Sequence, residues 1–158
     1  MDRLERAFSR PAADLNGKPA PELSLQSLTG ETVSLSQFRG KIILLDFWAA
    51  WCAPCRTQLP ALARLHRESK DQGVVLLGIN DDESPEIALK YLRENGYDWQ
   101  NLFDGTQKDA RAKFKVAGIP ALVVIDQQGV IVEYQVGSGE TSEQAVRVAL
   151  QKLGVKLP

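Results

Sequence analysis

The sequence has few of the residues that bind metals. Among its 158 residues there are two cysteines and a single histidine, His66. A closed structural zinc site needs four ligands, and the cysteines and histidine of one molecule supply only three. We therefore expect no metal site.

A long apolar run and an excess of one charge are also absent. The longest apolar stretch, residues 42–51, is interrupted by Asp46 and is far too short to span a bilayer. Nineteen basic residues stand against twenty acidic ones, which gives a formal charge of -1, and no block of lysine or arginine stands out. We therefore expect neither a membrane-spanning segment nor a nucleic-acid surface.

The N-terminal residues lack the apolar region of a secretory signal. This predicts either a cytoplasmic protein or a mature or trimmed form of an exported one. Residues 1–17 mix charges with Pro11 and Gly17 and show no sustained period, so we interpret them as a leader or tether. Residues 18–158 are long enough for one domain with a sizeable core, in a chain that is 44% hydrophobic.

The order of predicted elements indicates an α/β fold. Strands that alternate with helices and end in a hairpin predict a mixed sheet covered by helices. The closing helix has Ala145, Val148, Ala149 and Leu153 on one side. In chain order we predict a hairpin (22–28 and 32–35), a helical turn (36–40), a central strand (41–48), a helix (52–69), a buried strand (73–80), a helix (84–95), a short strand (97–103), a helix (106–115), a second hairpin (121–126 and 130–136) and the closing helix (140–153).

The two cysteines, Cys52 and Cys55, lie two residues apart where the apolar run gives way to a helical pattern. At the start of a helix, the first sulfur lies near unpaired backbone N–H groups and the positive end of the helix dipole, which favours the thiolate. The thiolate is the form that attacks disulfides. The alternative is a structural disulfide, but so small a loop would stabilise the fold little. The spacing therefore predicts a redox-active pair.

A wider set of residues resembles the thioredoxin superfamily: the stretch from Asp46 to Cys55, then Gly118-Ile119-Pro120 before a hairpin, then Gly137. The resemblance covers about residues 18–155. The segment from Asn16 to Pro21 and a βα insertion are similar to the TlpA/ResA branch of bacterial extracytoplasmic thiol-disulfide oxidoreductases. This resemblance implies a thioredoxin fold, in which helices flank a mixed central β-sheet, with an N-terminal β-hairpin and a βα insertion.

The resemblance also implies roles for the central residues. Cys52 would be the exposed nucleophile, and Cys55 the resolving thiol that breaks the mixed disulfide. Pro120 would follow a cis peptide after Ile119, in a loop that faces the cysteines and offers backbone groups to a substrate. Asp46 would lie beneath the second cysteine and assist its deprotonation, with a pKa raised by burial. The alternative for Asp46 is a strand-end carboxylate that reaches solvent, and many members of the branch place a glutamate elsewhere instead.

Five further positions are candidates for substrate binding. Ala53 and Pro54 would tune the thiolate, and Trp51 would pack over the active site. Ile119 belongs to the cis-proline loop. Gly137 would admit a substrate chain, although a plain turn explains this glycine equally well.

Other conspicuous residues have structural interpretations. We expect Trp48 and Trp99 to pack in or just below the core. His66 has no second histidine beside it and is expected to be structural or at the surface. Residues 81–83, Asp-Asp-Glu, are expected to form a solvated loop that leads into a helix.

The sequence thus predicts an enzyme that exchanges two electrons between a dithiol and a disulfide, without a metal or organic cofactor. Its Ala-Pro dipeptide resembles reductants, so we expect a reductase that acts on disulfide- or thiol-containing proteins and receives electrons from an upstream redox donor. By resemblance we expect an extracytoplasmic or periplasmic monomer, with a cytoplasmic location as the alternative.

Two other function classes remain open. One is a thiol peroxidase, but its Pro-x-x-x-Thr/Ser-x-x-Cys pattern would fall on Leu45 and Ala49, which supply neither the proline nor the hydroxyl. The other is a binding module with an inert disulfide.

Overall fold

A computed structural model describes residues 15–158, and within them seven strands form one sheet in the order β2-β1-β5-β4-β3-β6-β7. Most of the predicted leader, residues 1–17, therefore lies outside the described residues. Of its last three residues, Leu15 is buried in the core and Gly17 donates its backbone N–H to the carbonyl of Ile131 at 2.8 Å.

The elements follow the predicted order. The strands are β1 (Ser24–Ser27), β2 (Thr32–Ser34), β3 (Ile42–Trp48), β4 (Val74–Asn80), β5 (Asn101–Phe103), β6 (Ala121–Ile125) and β7 (Ile131–Val136). The α-helices of residues 15–158 are α1 (Ala53–Ser69), α2 (Pro85–Asn95), α3 (Asp109–Lys113) and α4 (Glu140–Lys152), and short 3-10 turns cover Leu35–Phe38 and Lys70–Gln72.

The three central strands run parallel and end at the same edge of the sheet. β4 pairs with β3 on one side and with β5 on the other, in parallel. β6 pairs antiparallel with β3, and β7 with β6, while β1 joins the hairpin partner β2 to β5. The carboxyl ends of β3, β4 and β5 therefore meet at one edge, the usual place for a site in sheets of this kind.

The sheet has an apolar core on each face. Every residue of β3 is buried, as its continuous apolar run predicts for a central strand. One core packs α1, α2 and α4 against Leu44 and Trp48 of β3. The other packs α3 and the N-terminal hairpin against Leu45 and Phe47. Alternate residues of the strand thus face opposite layers.

Two details of the helices differ from the predictions. The helix predicted at 106–115 is only Asp109–Lys113, since Lys108 and Lys115 on either side have φ values of 54° and 52°. In α4 the sheet buries Ser142, Val146, Ala149 and Leu150, and Val148 is exposed. The apolar residues of α4 form two neighbouring stripes, and the sheet covers the one that contains Val146.

In the described part of the chain, no helix is long and apolar enough to cross a membrane.

Candidate active site

Cys52 and Cys55 form a disulfide at the start of α1. Cys52 is the N-cap residue of this helix, and its Sγ accepts a hydrogen bond from the backbone N–H of Cys55 at 3.3 Å. Pro54 lies in the first helical turn, where its missing N–H leaves no hydrogen bond unmade. The sulfur of Cys52 therefore satisfies one of the backbone donors that a helix leaves free at its start.

The expectation of an exposed Cys52 is wrong for the disulfide state. Cys52 is 4% exposed and Cys55 is 1% exposed. The reason is the neighbourhood of the helix start, since the loop before β6 lies against it. Of the two, Cys52 still keeps the larger exposed fraction.

The loop before β6 faces Cys52. The Ile119–Pro120 peptide bond is cis, as predicted. The carbonyl oxygen of Ile119 lies 4.0 Å from Sγ of Cys52, although 67 residues separate them in the chain. The carbonyl oxygen of Pro120 accepts the backbone N–H of Gly137 at 2.8 Å. The fold thus brings the cysteines, the cis-proline loop and Gly137 together.

Asp46 is buried in the middle of β3, with 1% of its surface exposed. The alternative that its carboxylate reaches solvent is therefore wrong. Because strand residues alternate, Asp46 shares a face with Leu44 and Trp48, and these pack in the same core as Cys55. Neither carboxylate oxygen hydrogen-bonds to a group of the described chain. Burial raises the pKa of Asp46 to about 8.

The rim of the site is open to solvent. Trp51, next to Cys52 in the chain, is 65% exposed. Ala53 and Pro54 are also exposed, and Ile119 is half-buried.

The loop before Cys52 is held by two side chains, those of Asp82 and Arg56, that the sequence did not indicate as part of the site. The backbone N–H of Ala50 donates to Oδ2 of Asp82 at 2.8 Å, and its carbonyl accepts Nη1 of Arg56 at 2.6 Å. Asn80 donates its side-chain amide to the same Oδ2 of Asp82 at 2.9 Å. Both backbone groups of Ala50 are therefore fixed two residues before Cys52.

The solvated loop predicted at residues 81–83 is wrong for two of its three members. Asp81 is 7% exposed and Asp82 is 1% exposed, while Glu83 is exposed. These aspartates follow β4, whose carboxyl end lies beside that of β3. The available signal was their position directly after a buried strand, because such strand ends gather at one edge.

The structural interpretations of the other conspicuous residues are confirmed. Trp48 and Trp99 are buried, and Nε1 of Trp48 donates to Oδ1 of Asn101 at 2.6 Å. His66 packs near the ring of Trp99, with Nε2 4.0 Å from the carboxylate of Asp98, and burial lowers the pKa of His66.

Comparison with known proteins finds a matching family model and several named relatives. The AhpC/TSA family model matches residues 16–134. The chain is 33% identical to the thioredoxin-like protein YneN of Bacillus subtilis, over 93% of this chain and 87% of YneN. It is 30% identical to the thiol-disulfide oxidoreductase ResA of Bacillus anthracis, over 81% of this chain and 73% of ResA.

A solved structure of a thiol-disulfide isomerase has a similar fold. The secreted thiol-disulfide isomerase of Corynebacterium glutamicum superposes with a TM-score of 0.76 at 28% identity, covering 85% of each chain. The fold, the cysteine pair and these relatives lead to one conclusion. The chain belongs to the AhpC/TSA family and is a TlpA/ResA-like thiol-disulfide oxidoreductase of the thioredoxin superfamily.

Proposed function

We propose that this oxidoreductase reduces disulfides in protein substrates, with Cys52 as the nucleophile and Cys55 as the resolving thiol. The observation that carries the proposal is the position of the cysteine pair. It caps a helix, and the cis-proline loop lies 4.0 Å from Cys52. A substrate strand that pairs with this loop would bring its disulfide to the Cys52 sulfur.

The reaction begins from the dithiol form of the enzyme. The Cys52 thiolate attacks one substrate sulfur, so a bond from Cys52 to the substrate forms and the substrate disulfide breaks. The departing substrate sulfur takes up a proton. Where Asp46 is ionised, Cys55 then gives its proton to that carboxylate and attacks Sγ of Cys52. The Cys52–Cys55 disulfide forms, and the second substrate sulfur leaves and is protonated.

Two electrons thus pass from the enzyme to the substrate. A dithiol donor must return them to the enzyme before the next turnover. Both electrons travel through thiol-disulfide exchange, so this cycle runs on the two cysteines alone.

The surroundings of the two cysteines support this assignment of their roles. Cys52 accepts the Cys55 N–H, a donor that stabilises a thiolate more than a thiol. Cys52 also adjoins the exposed rim of Trp51, Ala53 and Pro54, where a substrate can approach. Cys55 is more deeply buried, which suits a thiol that acts only on the mixed disulfide.

Asp46 is the proposed proton acceptor for Cys55. Its pKa of about 8 lies close to the ordinary value of a thiol, about 8.5, so the ionised form of Asp46, held by about one molecule in ten at pH 7, accepts the proton at little free-energy cost. An ordinary aspartate would be a much weaker base. Burial without a hydrogen-bond partner is what gives this carboxylate the required basicity.

The direction and location of the reaction complete the proposal. The Ala53-Pro54 dipeptide resembles that of reductants rather than strong oxidants. We propose an extracytoplasmic monomer that acts on proteins and is re-reduced by a separate redox donor. The secreted thiol-disulfide isomerase of Corynebacterium glutamicum supports the location.

A trapping experiment tests the proposal. Cys55→Ser keeps the nucleophile and removes the resolving thiol, so it should accumulate a mixed disulfide with a protein substrate such as oxidised insulin. Cys52→Ser is the matched control and should accumulate none. Non-reducing electrophoresis and mass spectrometry identify the linked cysteine. The proposal fails if both variants trap insulin equally, or if the wild-type dithiol does not reduce it.

A further inference from the structure

A polar network lies at the sheet edge that carries the cysteines. Asn80, Asp81 and Asp82 come at the end of β4, and Asp104 follows β5 directly. All four are less than one-tenth exposed. Most buried polar groups are hydrogen-bonded, and the contacts that these four residues make reach both halves of the active site.

The first half is the loop before Cys52. Asp82 and Arg56 hold Ala50 through its backbone N–H and carbonyl. The backbone N–H of Asp81 donates to the carbonyl of Trp48 at 3.0 Å. The end of β4 is therefore hydrogen-bonded to the end of β3, just before the loop that leads to Cys52.

The second half is the loop before the cis proline. Arg111 of α3 donates from Nε to the carbonyl of Val116 at 3.3 Å and from Nη2 to that of Ala117 at 3.2 Å. Its Nη1 donates to Oδ2 of Asp81 at 2.8 Å. One guanidinium thus joins the end of β4 to the residues just before Gly118, Ile119 and Pro120.

Arg111 is itself held in place. Its backbone N–H donates to Oδ2 of Asp104 at 3.1 Å, and that of Ala110 donates to Oδ1 at 2.8 Å. The Asp81 side chain is 3% exposed and receives a second cation, Lys108, at 2.7 Å. Because Lys108 already pairs with Asp81, what Arg111 adds is its two hydrogen bonds to the carbonyls of Val116 and Ala117.

We infer that Arg111 is a positioning residue for the reaction, which sets the cis-proline loop relative to Cys52 through its contacts with the carbonyls of Val116 and Ala117. The inference rests on the proposed function, because the loop matters only if substrate docks there. A protein substrate pairs with the loop, whereas a small aromatic disulfide needs only the sulfur of Cys52. Loss of Arg111 should therefore affect the two substrates differently.

The test compares Arg111→Lys, Arg111→Met and wild type. Lysine keeps a point charge for Asp81 but cannot reach three acceptors with a planar fork of donors. Both variants should raise KM for insulin about tenfold, because misplaced docking groups reduce productive binding steeply. The rate with 5,5'-dithiobis(2-nitrobenzoate) should stay within about twofold of wild type, since this reaction bypasses the loop.

Arg147→Met is the matched control. Arg147 is a partly buried arginine that pairs with Glu68 and Glu143, away from the cysteines. The Arg147→Met variant should leave the rates with insulin and with 5,5'-dithiobis(2-nitrobenzoate) unchanged, even where it lowers the midpoint of urea unfolding. A structural role for Arg111 predicts instead that Arg111→Lys behaves as wild type, or that both substrates slow together, and either result overturns the inference.

The outcomes separate the inference from the proposed function. A wild-type protein that reduces neither substrate refutes the function itself. An active wild type with unaltered Arg111 variants refutes only the positioning role. The Arg111→Lys protein keeps the charge, so it provides the test even where Arg111→Met does not fold.

Discussion

Replacement of Asp46 by asparagine should stabilise the oxidised protein at neutral pH. Asn has nearly the same shape, and it leaves polar atoms in the same place, but it cannot ionise. In the folded wild type the pKa of Asp46 is about 8, whereas the ordinary value for an aspartate is 3.8. The cause is burial with no hydrogen-bond partner in the described chain.

The magnitude follows from the shift of the pKa. At pH 7 the unfolded chain has released the proton and the folded chain still holds it. The interval between the ordinary pKa of 3.8 and pH 7 is about three pH units, and each unit is worth about 1.4 kcal/mol. The free energy of unfolding of the wild type is therefore lower by about 4 kcal/mol than it would be without this ionisable group. That is a large part of the 5 to 15 kcal/mol of a typical domain.

The direction of the pH dependence of stability follows from the number of protons that each state binds. Between about pH 4 and pH 8 the folded state binds one more proton than the unfolded state, so this group makes stability fall as pH rises. The gain from Asp46→Asn should therefore be near zero at about pH 4 and about 4 kcal/mol at pH 7, and should level off above pH 8. Urea unfolding of the oxidised proteins, followed by tryptophan fluorescence, measures this gain.

Asp71→Asn is the matched control, because it removes an exposed carboxylate near the end of α1. Because this carboxylate is exposed, its replacement should change the free energy of unfolding by less than about 0.5 kcal/mol. A gain for Asp46→Asn that is equal at pH 4 and pH 8 would refute the reasoning, because the carboxylate would then have an ordinary pKa in the folded state.

Two further substitutions test the packing and the rim. Gly78→Ala should lower the free energy of unfolding by about 2 to 5 kcal/mol in urea unfolding, because the new Cβ would lie 1.8 Å from Oδ1 of Asn101 and displace the acceptor of the Trp48 indole. A loss below about 0.5 kcal/mol would contradict this packing. Trp51→Ala should change stability by less than about 0.5 kcal/mol, because the side chain is 65% exposed, yet slow the reduction of insulin. An unchanged insulin rate would remove Trp51 from the docking rim.

The elements of the fold were predictable where one local pattern dominates. The continuous apolar run before the cysteines predicted a strand covered on both faces, and β3 is fully buried. In α4 the predicted apolar side, which contained Val148, was wrong for that residue, because the sheet covers the neighbouring stripe. Val148 is exposed and Val146 is buried, because the choice depends on the neighbouring strands.

The same division holds for the site. Cys52 and Cys55 were recognisable because their spacing and the helix start are local. Asp81 and Asp82 were misjudged as solvated, since acidic residues before a helix usually are. Their partners are distant in the chain: 32 residues separate Asp82 from Ala50, and 30 separate Asp81 from Arg111.

The sequence alone determined that a cysteine pair follows a buried strand and starts a helix. The donor that favours the Cys52 thiolate is the N–H only three residues on, so local backbone geometry is enough to place it. Tertiary structure decided the rest. Only the packed sheet desolvates Asp46, and only the folded chain brings Ile119 to Cys52 across 67 residues. Desolvation and long-range contacts depend on which surfaces meet, and no short stretch of sequence specifies that.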